Sequence, residues 1–293
     1  MIRLNDHQED AQSVDPFLDF CLWEYECQSE PNGKLRSINM LLHSFEYTGV
    51  DDAMLELCNA IRDGLGDWRT VWGIKQVDSK LSWEFYFYDY SRLNRASSVT
   101  RLLEIIEPYV KCDLEFNEDV LYFMFSIDLD EELLAGRGNL DDINIYIGNI
   151  GNFGNMISSG IAYKYSKRGM VLDNLYYFFD AGSGLQDIAD KVVSSVHVKP
   201  GEINLDEVLI PELRDCKTIV VANKKHNDGI YFSGISIDQL LSFMKVMTYP
   251  AELISYISNN KRSFNHLLYD VGIDYRMRNG KLELLKSSYY GVF

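Results

Sequence analysis

The sequence predicts an α+β chain of about ten antiparallel strands, arranged as sequential hairpins separated by amphipathic helices and closed into a β-barrel with its helices outside. Three observations predict this. Runs with a two-residue period recur in pairs, each pair joined by a turn signal: Asp78-Ser79, Lys167-Arg168-Gly169, Asn227-Asp228-Gly229 and Arg278-Asn279-Gly280. Stretches with a helical period fall between most of the pairs. Several strands also carry two unlike faces, one aliphatic and one rich in tyrosine, which closure into a barrel explains because it leaves no edge and creates an interior. The clearest such stretch is Lys80–Tyr90, where Leu81, Trp83, Phe85 and Phe87 alternate with Ser82, Glu84, Tyr86, Tyr88 and Tyr90.

The remaining elements follow in order. Residues 1–15 are polar. From Asp15-Pro16 to Cys27, Phe17, Leu18, Cys21, Leu22 and Tyr25 form a helical stripe with Asp15 and Pro16 at the cap. Residues 35–45 fit helix or strand equally. Asp51-Asp52 open a helix that Gly64 and Gly66 close, and Ser97 or Ser98 caps another ending before Pro108. Val120–Asp128 alternates as a strand, with Tyr122 and Ser126 on its polar face, and the acidic turn Asp130–Leu134 leads to the strand Ile143–Ile147. Strands 159–166 and 172–180, a helix at 185–196, and strands 217–224 and 229–234 come next. Ser236 and Gln239 then form a capping box, a helix at 250–259 follows, and strands 267–276 and 281–287 end the chain. This organisation assigns residues 1–50 to a helical or mobile extension and 51–293 to a single barrel domain.

Composition narrows the function. The 293 residues carry 28 Lys+Arg against 44 Asp+Glu, a formal charge of −16, which disfavours nucleic acid and anionic membrane and suits a basic protein partner. The five cysteines are scattered without a C-x-x-C pair, as in a reduced intracellular protein. The start has no signal-peptide core, and no stretch approaches the roughly 18 apolar residues of a membrane span. A soluble, cytoplasmic protein is expected. The five histidines lack metal-ligand spacing, and Asp128–Glu132 is read as a solvated helix start, so no metal site is expected. Gly148–Gly154 resembles a phosphate loop only in its glycine count and is read as a flexible connection.

With the aliphatic faces packed on helices, the other faces line the interior. Glu84, Tyr86, Tyr88, Tyr90, Tyr122, Ser126, Asn144, Tyr146 and Lys164 fall there by phase. Lys75, Tyr177, Lys224, Tyr231, Arg276 and Lys286 join them from less regular strands. Each has an ordinary counter-reading: strand glutamates and lysines usually face solvent, and tyrosines favour strands for packing. Together, convergent cations suit an anion, aromatic faces suit a cation, and a carboxylate can accept a proton.

Over roughly residues 51–293, the order of five hairpins punctuated by helices resembles the ABBA (PT-barrel) aromatic prenyltransferases in architecture and interior character. The resemblance implies transfer of an isoprenyl group from a prenyl diphosphate to an aromatic small molecule or peptide. It implies no required cofactor, with Mg²⁺ as an optional aid. It assigns Lys75, Lys164, Lys224, Arg276 and Lys286 to the diphosphate, Tyr86, Tyr88, Tyr122, Tyr177 and Tyr231 to shielding of the allylic cation, and Glu84 to the base. Two departures stand out: no long helix follows Ile147, and none follows the last hairpin. The alternatives are a non-catalytic acidic interaction protein, such as an immunity-type inhibitor or scaffold, and a ligand-binding barrel without turnover.

Overall fold

Alternation dictates a closed sheet, and the computed structural model, which describes residues 7–90, 95–150, 157–199 and 201–293, contains one. Its strands are β1 (Thr70–Val77), β2 (Lys80–Tyr88), β3 (Met124–Leu129), β4 (Asp142–Ile150), β5 (Ile157–Ser166), β6 (Gly169–Asp180), β7 (Thr218–Lys224), β8 (Asp228–Ile235), β9 (Tyr269–Arg278) and β10 (Lys281–Val292). Every strand pairs antiparallel with its sequence neighbour, and β1 closes the ring against β10. Two hairpin turns show why their residues were legible. Asp78 and Ser79, and likewise Asn279 and Gly280, all take positive φ, the geometry of a two-residue type I′ connection.

Among the described residues the principal helices are α1 (Ile38–Thr48), α2 (Asp51–Leu65), α3 (Val99–Ile106), α4 (Glu131–Leu134), α5 (Leu185–Val193), α6 (Leu205–Val208), α7 (Ile237–Val246), α8 (Ala251–Asn259) and α9 (Lys261–Phe264). The undecided stretch at 35–45 is thus largely helical, stopped by Gly49 in the left-handed conformation. The expected Ser98 cap and the Ser236–Gln239 capping box both form. None of these helices is long and apolar enough to cross a membrane.

The main core lies between the helices and the outer face of the barrel. Trp72, Ile74, Trp83, Phe85, Phe87, Phe125 and Ile127 are fully buried there. Each such side chain stabilises the fold by about 1.5–3 kcal/mol relative to exposure. The Trp83 indole Nε1–H donates to Ser44 Oγ at 2.9 Å, and the Ser44 hydroxyl donates in turn to the Leu41 carbonyl at 2.7 Å, so α1 is fixed to β2 by a satisfied polar contact in an apolar layer.

Three local expectations are corrected. Residues 15–27 are not helical. Asp19 Oδ1 accepts from the backbone N–H groups of Cys21 (2.9 Å) and Trp23 (3.0 Å), and this turn folds the chain back so that Leu18 bridges Glu24. The apolar stripe instead forms a plug across one end of the barrel. The strand expected from Val120 begins only at Met124, and its phase changes there: Phe123 points inward while Tyr122 packs outward on Phe116 and Phe125. The turn expected at 227–229 is earlier, because β8 already starts at Asp228. Most of the Gly148–Gly154 connection lies outside the described residues.

The plug is held by tyrosines at the end of β2: Tyr88 donates to the Phe20 carbonyl, and Tyr90 to the Cys21 carbonyl at 2.9 Å. Tyr90→Phe is expected to lower stability by about 1 kcal/mol, read as a urea-midpoint shift, because one half-buried hydrogen bond is lost without a cavity.

Candidate functional site: a divided barrel interior

Alternate residues of neighbouring strands build the interior, and one layer divides it. Tyr290 (β10), Tyr86 (β2), Tyr146 (β4), Tyr176 (β6) and Tyr231 (β8) form a belt across the bore. Ring centroids are 6.1 Å apart for Tyr290–Tyr86, 6.3 Å for Tyr86–Tyr146, 6.1 Å for Tyr146–Tyr176 and 6.4 Å for Tyr176–Tyr231. Small residues on intervening strands seat the rings: a Cβ on Gly73 would sit 2.6 Å from the Tyr290 ring, and one on Gly272 would sit 2.3 Å from that of Tyr231. Only glycine admits a ring so close to the backbone.

The belt has two faces. On the plug side its rings join Phe20, Tyr88, Phe123 and Phe178 around an apolar cavity of about 80 Å³. On the other side its hydroxyls meet polar partners: Tyr86 donates to Glu84 Oε2 at 2.5 Å, Tyr290 bonds Ser288 at 2.7 Å, and Lys224 Nζ reaches Tyr231 at 3.1 Å. That side opens as a polar well of about 230 Å³.

The well is crossed by a ladder of alternating charge. Lys75 Nζ lies 2.6 Å from Asp128 and 3.2 Å from Glu84; Lys286 Nζ lies 3.2 Å from Glu84 and 3.7 Å from Asp274; Lys224 Nζ lies 2.7 Å from Asp274. Three cations thus face three carboxylates. Burial favours the neutral form of Glu84, but Lys286, Lys75 and the Tyr86 hydroxyl outweigh it and hold the carboxyl well below the usual range. Asp274 is likewise depressed, because Lys224 and Lys286 overcome its burial. Burial would lower Lys286, yet Asp274 and Glu84 push it well up, and Glu84 and Asp128 do the same for Lys75. Burial raises all five belt tyrosines, which stay protonated.

Several residues singled out from the sequence therefore converge: Lys75, Glu84, Tyr86, Lys224, Tyr231 and Lys286 share the well, with Lys164 at its rim, 3.2 Å from Asp142. Tyr88 belongs to the apolar cavity instead. Three others do not converge. Arg276 sits near the tip of the β9–β10 hairpin, paired with Glu283 at 2.6 Å. Tyr177 faces outward beneath Lys191 of α5, whose Nζ is 4.0 Å from its ring, because the inward phase of β6 runs through Asn174, Tyr176 and Phe178. Tyr122 packs outside under Arg95, as the phase change at Phe123 requires. The sequence reading missed Asp274, Asp128 and Tyr290 as members of the site. Inward parity with Asp270, Gly272 and Ser288 was the available signal, but β9 and β10 are buried on both faces near the belt and show no alternation.

A second buried acid group stands under the plug. Asp270 Oδ2 accepts from the Phe20 N–H at 3.0 Å, and Oδ1 from the Gly234 N–H at 3.2 Å. Its carboxyl is pushed up to about 7, by burial first and by neighbouring Asp19 second. A carboxyl raised on folding keeps its proton in the native state where the unfolded chain has lost it, so stability falls as pH rises from about 4 to about 7. Unfolding of wild type and Asp270→Asn at pH 4, 5.5 and 7 is expected to show this fall, on the order of a few kcal/mol, in wild type and a smaller one in the variant, where the buried Asp19 carboxyl is still raised.

No family model matches the chain. Over an alignment of 302 positions it is 24% identical to a protein of Acanthamoeba polyphaga mimivirus named as JmjC domain-containing, covering 91% of this chain and 48% of that protein. The chain spans about half the length of that relative. This match replaces the resemblance to aromatic prenyltransferases, and with it the assignment as an isoprenyl transferase. The interior agrees with the correction: a diphosphate needs surplus cation, whereas the three lysines of the ladder are already matched by carboxylates. Glu84, pinned in its ionised form, is a weak base at neutral pH.

Proposed function

We propose that the chain is a small-molecule-binding barrel whose polar well takes a zwitterion of amino-acid size. The observation that carries this reading is the charge-balanced ladder in an open, hydroxyl-lined well. Balanced charges give no net field for an anion or a cation, but each rung offers a partner to one end of a molecule bearing both. At the rim, Asp173 of β6 and Lys225, the residue after β7, line the same well, and neither makes an ion pair with another described residue. Asp173 suits a ligand ammonium, Lys225 a ligand carboxylate, and Asn144 and Asn174 supply neutral donors and acceptors. Isothermal titration of the full chain with single free amino acids tests this. Saturable binding by at least one, weakened tenfold or more in both Asp173→Asn and Lys225→Met, is expected; an unchanged affinity in both variants would remove the assignment.

The name of the relative favours a second reading, metal-dependent chemistry of a cupin-like JmjC centre, and the residues do not fit it. Cupins are double Greek-key jelly rolls, whereas each strand here pairs with its sequence neighbour. A facial oxygenase centre needs two histidines and a carboxylate on one side of a metal. Among the described residues no group of three or more His, Cys, Asp or Glu side chains could hold one. His43 stacks on Tyr256 of α8, His197 bonds the Lys224 carbonyl, His226 lies at the well rim, and His266 is buried beneath Phe17.

A further inference from the structure

The plug is tied down at both ends. Before it, Asp15 pairs with Arg36 at 2.7 Å; after it, the Gln28 N–H donates to the His266 carbonyl at 3.0 Å. Between these anchors residues 17–25 form no helix, only the bridge from Leu18 to Glu24, and Leu22 takes a φ of 57°, a left-handed conformation that costs energy for a bulky side chain. The plug meets the barrel through few polar contacts. Asp270 of β9 accepts the Phe20 N–H, Tyr88 and Tyr90 donate to the Phe20 and Cys21 carbonyls, and Tyr25 accepts the Leu268 N–H at 3.1 Å.

Two carboxyls, Asp19 of the plug and Asp270 beneath it, are buried close together. Neither has a lysine, arginine or histidine within ion-pair distance among the described residues; Lys217, just before β7, acts on Asp19 only at longer range. The groups around the pair add no counter-charge. Burial raises the Cys21 and Cys216 thiols and the Tyr25, Tyr88 and Tyr90 phenols, so all five stay neutral near pH 7. His266, edge-on to Phe17, is lowered to about 4 by burial and is neutral as well. One carboxylate here can be met by backbone N–H donors, but a second like charge in the same apolar compartment is disfavoured.

We propose that the plug is a gate over the apolar end of the barrel, closed in acid and opened as pH rises, with the Asp19–Asp270 pair as its latch. Both carboxyls are raised by burial, so the closed plug holds protons that the open plug gives up to solvent. Closure is therefore strongest below about pH 4 and weakens as pH rises toward about 7, the value to which Asp270 is pushed. Ionisation of both acids sets the Asp19 turn against the β9 carboxylate that holds Phe20, and the strained turn at Leu22 relaxes as the plug lifts. The anchors at Arg36 and His266 contain neither acid, so the motion stays local and uncovers the cavity lined by Phe20, Tyr88, Phe123 and Phe178.

The Cys21 thiol, buried within the plug, reads the opening, and Cys58, buried on α2 in the main core, reads global unfolding in the same sample. The full chain is labelled with methyl methanethiosulfonate between pH 5 and 8, and the modified cysteines are located by peptide mass. Each rate is divided by that of the urea-unfolded chain at the same pH, which removes the thiol's own titration. The corrected Cys21 rate is expected to rise at least about tenfold over this range and to exceed that of Cys58 at least about tenfold at pH 8. Asp19→Asn combined with Asp270→Asn keeps side-chain oxygens for the backbone N–H groups and is expected to hold the rise below about twofold. A Cys21 rate independent of pH, a rate equal to that of Cys58 throughout, or a rise that persists in the double variant overturns the proposal. If the double variant does not fold, the Cys21 and Cys58 rates of the wild type decide.

Discussion

Lys286→Met is expected to destabilise the chain by about 3 kcal/mol, more than any other single change in the well, because it leaves Glu84 and Asp274 buried with one cation fewer between them. Lys286 joins the two halves of the ladder: Lys75 serves Glu84 and Asp128 on one side, and Lys224 serves Asp274 on the other. Removing the central rung uncovers charge on both sides, where the Glu84 and Asp274 side chains are largely buried. Lys286→Met combined with Glu84→Gln removes one charge of each sign and leaves Lys75–Asp128 and Lys224–Asp274 intact. The double variant is therefore expected to be more stable than Lys286→Met alone, with a coupling of about 1–3 kcal/mol in a double-mutant cycle by urea unfolding. Simple additivity would mean that the ladder is not a coupled network.

Gly272→Ala is expected to cost about 2–3 kcal/mol, while the same change at Gly160 is expected to stay within about 0.5 kcal/mol. Both glycines lie in strands of the barrel and neither has a left-handed φ, so backbone freedom does not separate them. Space does. A Cβ on Gly272 meets Tyr231 Cδ1 at 2.3 Å, whereas one on Gly160 finds its nearest neighbour, the Ile147 carbonyl, at 3.9 Å. The displaced Tyr231 ring would break the belt and draw its hydroxyl away from Lys224, so Gly272→Ala is also expected to weaken ligand binding in the well. Thermal unfolding of the pair checks the first effect, and calorimetric titration checks the second.

The barrel was legible because the sequence states its hairpins twice, in the two-residue alternation of strands such as β2 and in turn residues such as Asn279-Gly280, whose φ the structure shows to be positive. The plug was not. Its apolar spacing at Phe17, Leu18, Cys21 and Tyr25 copies a helix, whereas the Asp19 side chain, bonding the backbone two and four residues on, turns the chain back. Interior residues were read correctly where alternation was clean, as at Glu84 and Tyr86, and wrongly where the ladder shifts phase, as at Tyr122 and Tyr177. The pairing of each well lysine with an acid depends on which strands neighbour one another around the ring. That information is absent from any single strand, and it is what changes the well from an anion site into a balanced one.

The balance of that well is most directly tested by comparing ligand charge types in one thermal-shift series: free amino acids, inorganic diphosphate and a simple diamine, each at matched ionic strength. Binding to the folded chain alone raises the midpoint with the logarithm of the ligand excess, by about 2.7 kcal/mol of stability at a hundredfold excess over Kd. A rise that grows with concentration for at least one amino acid, and none with diphosphate or diamine, is the predicted result. A concentration-dependent rise with diphosphate and none with any amino acid would contradict the account.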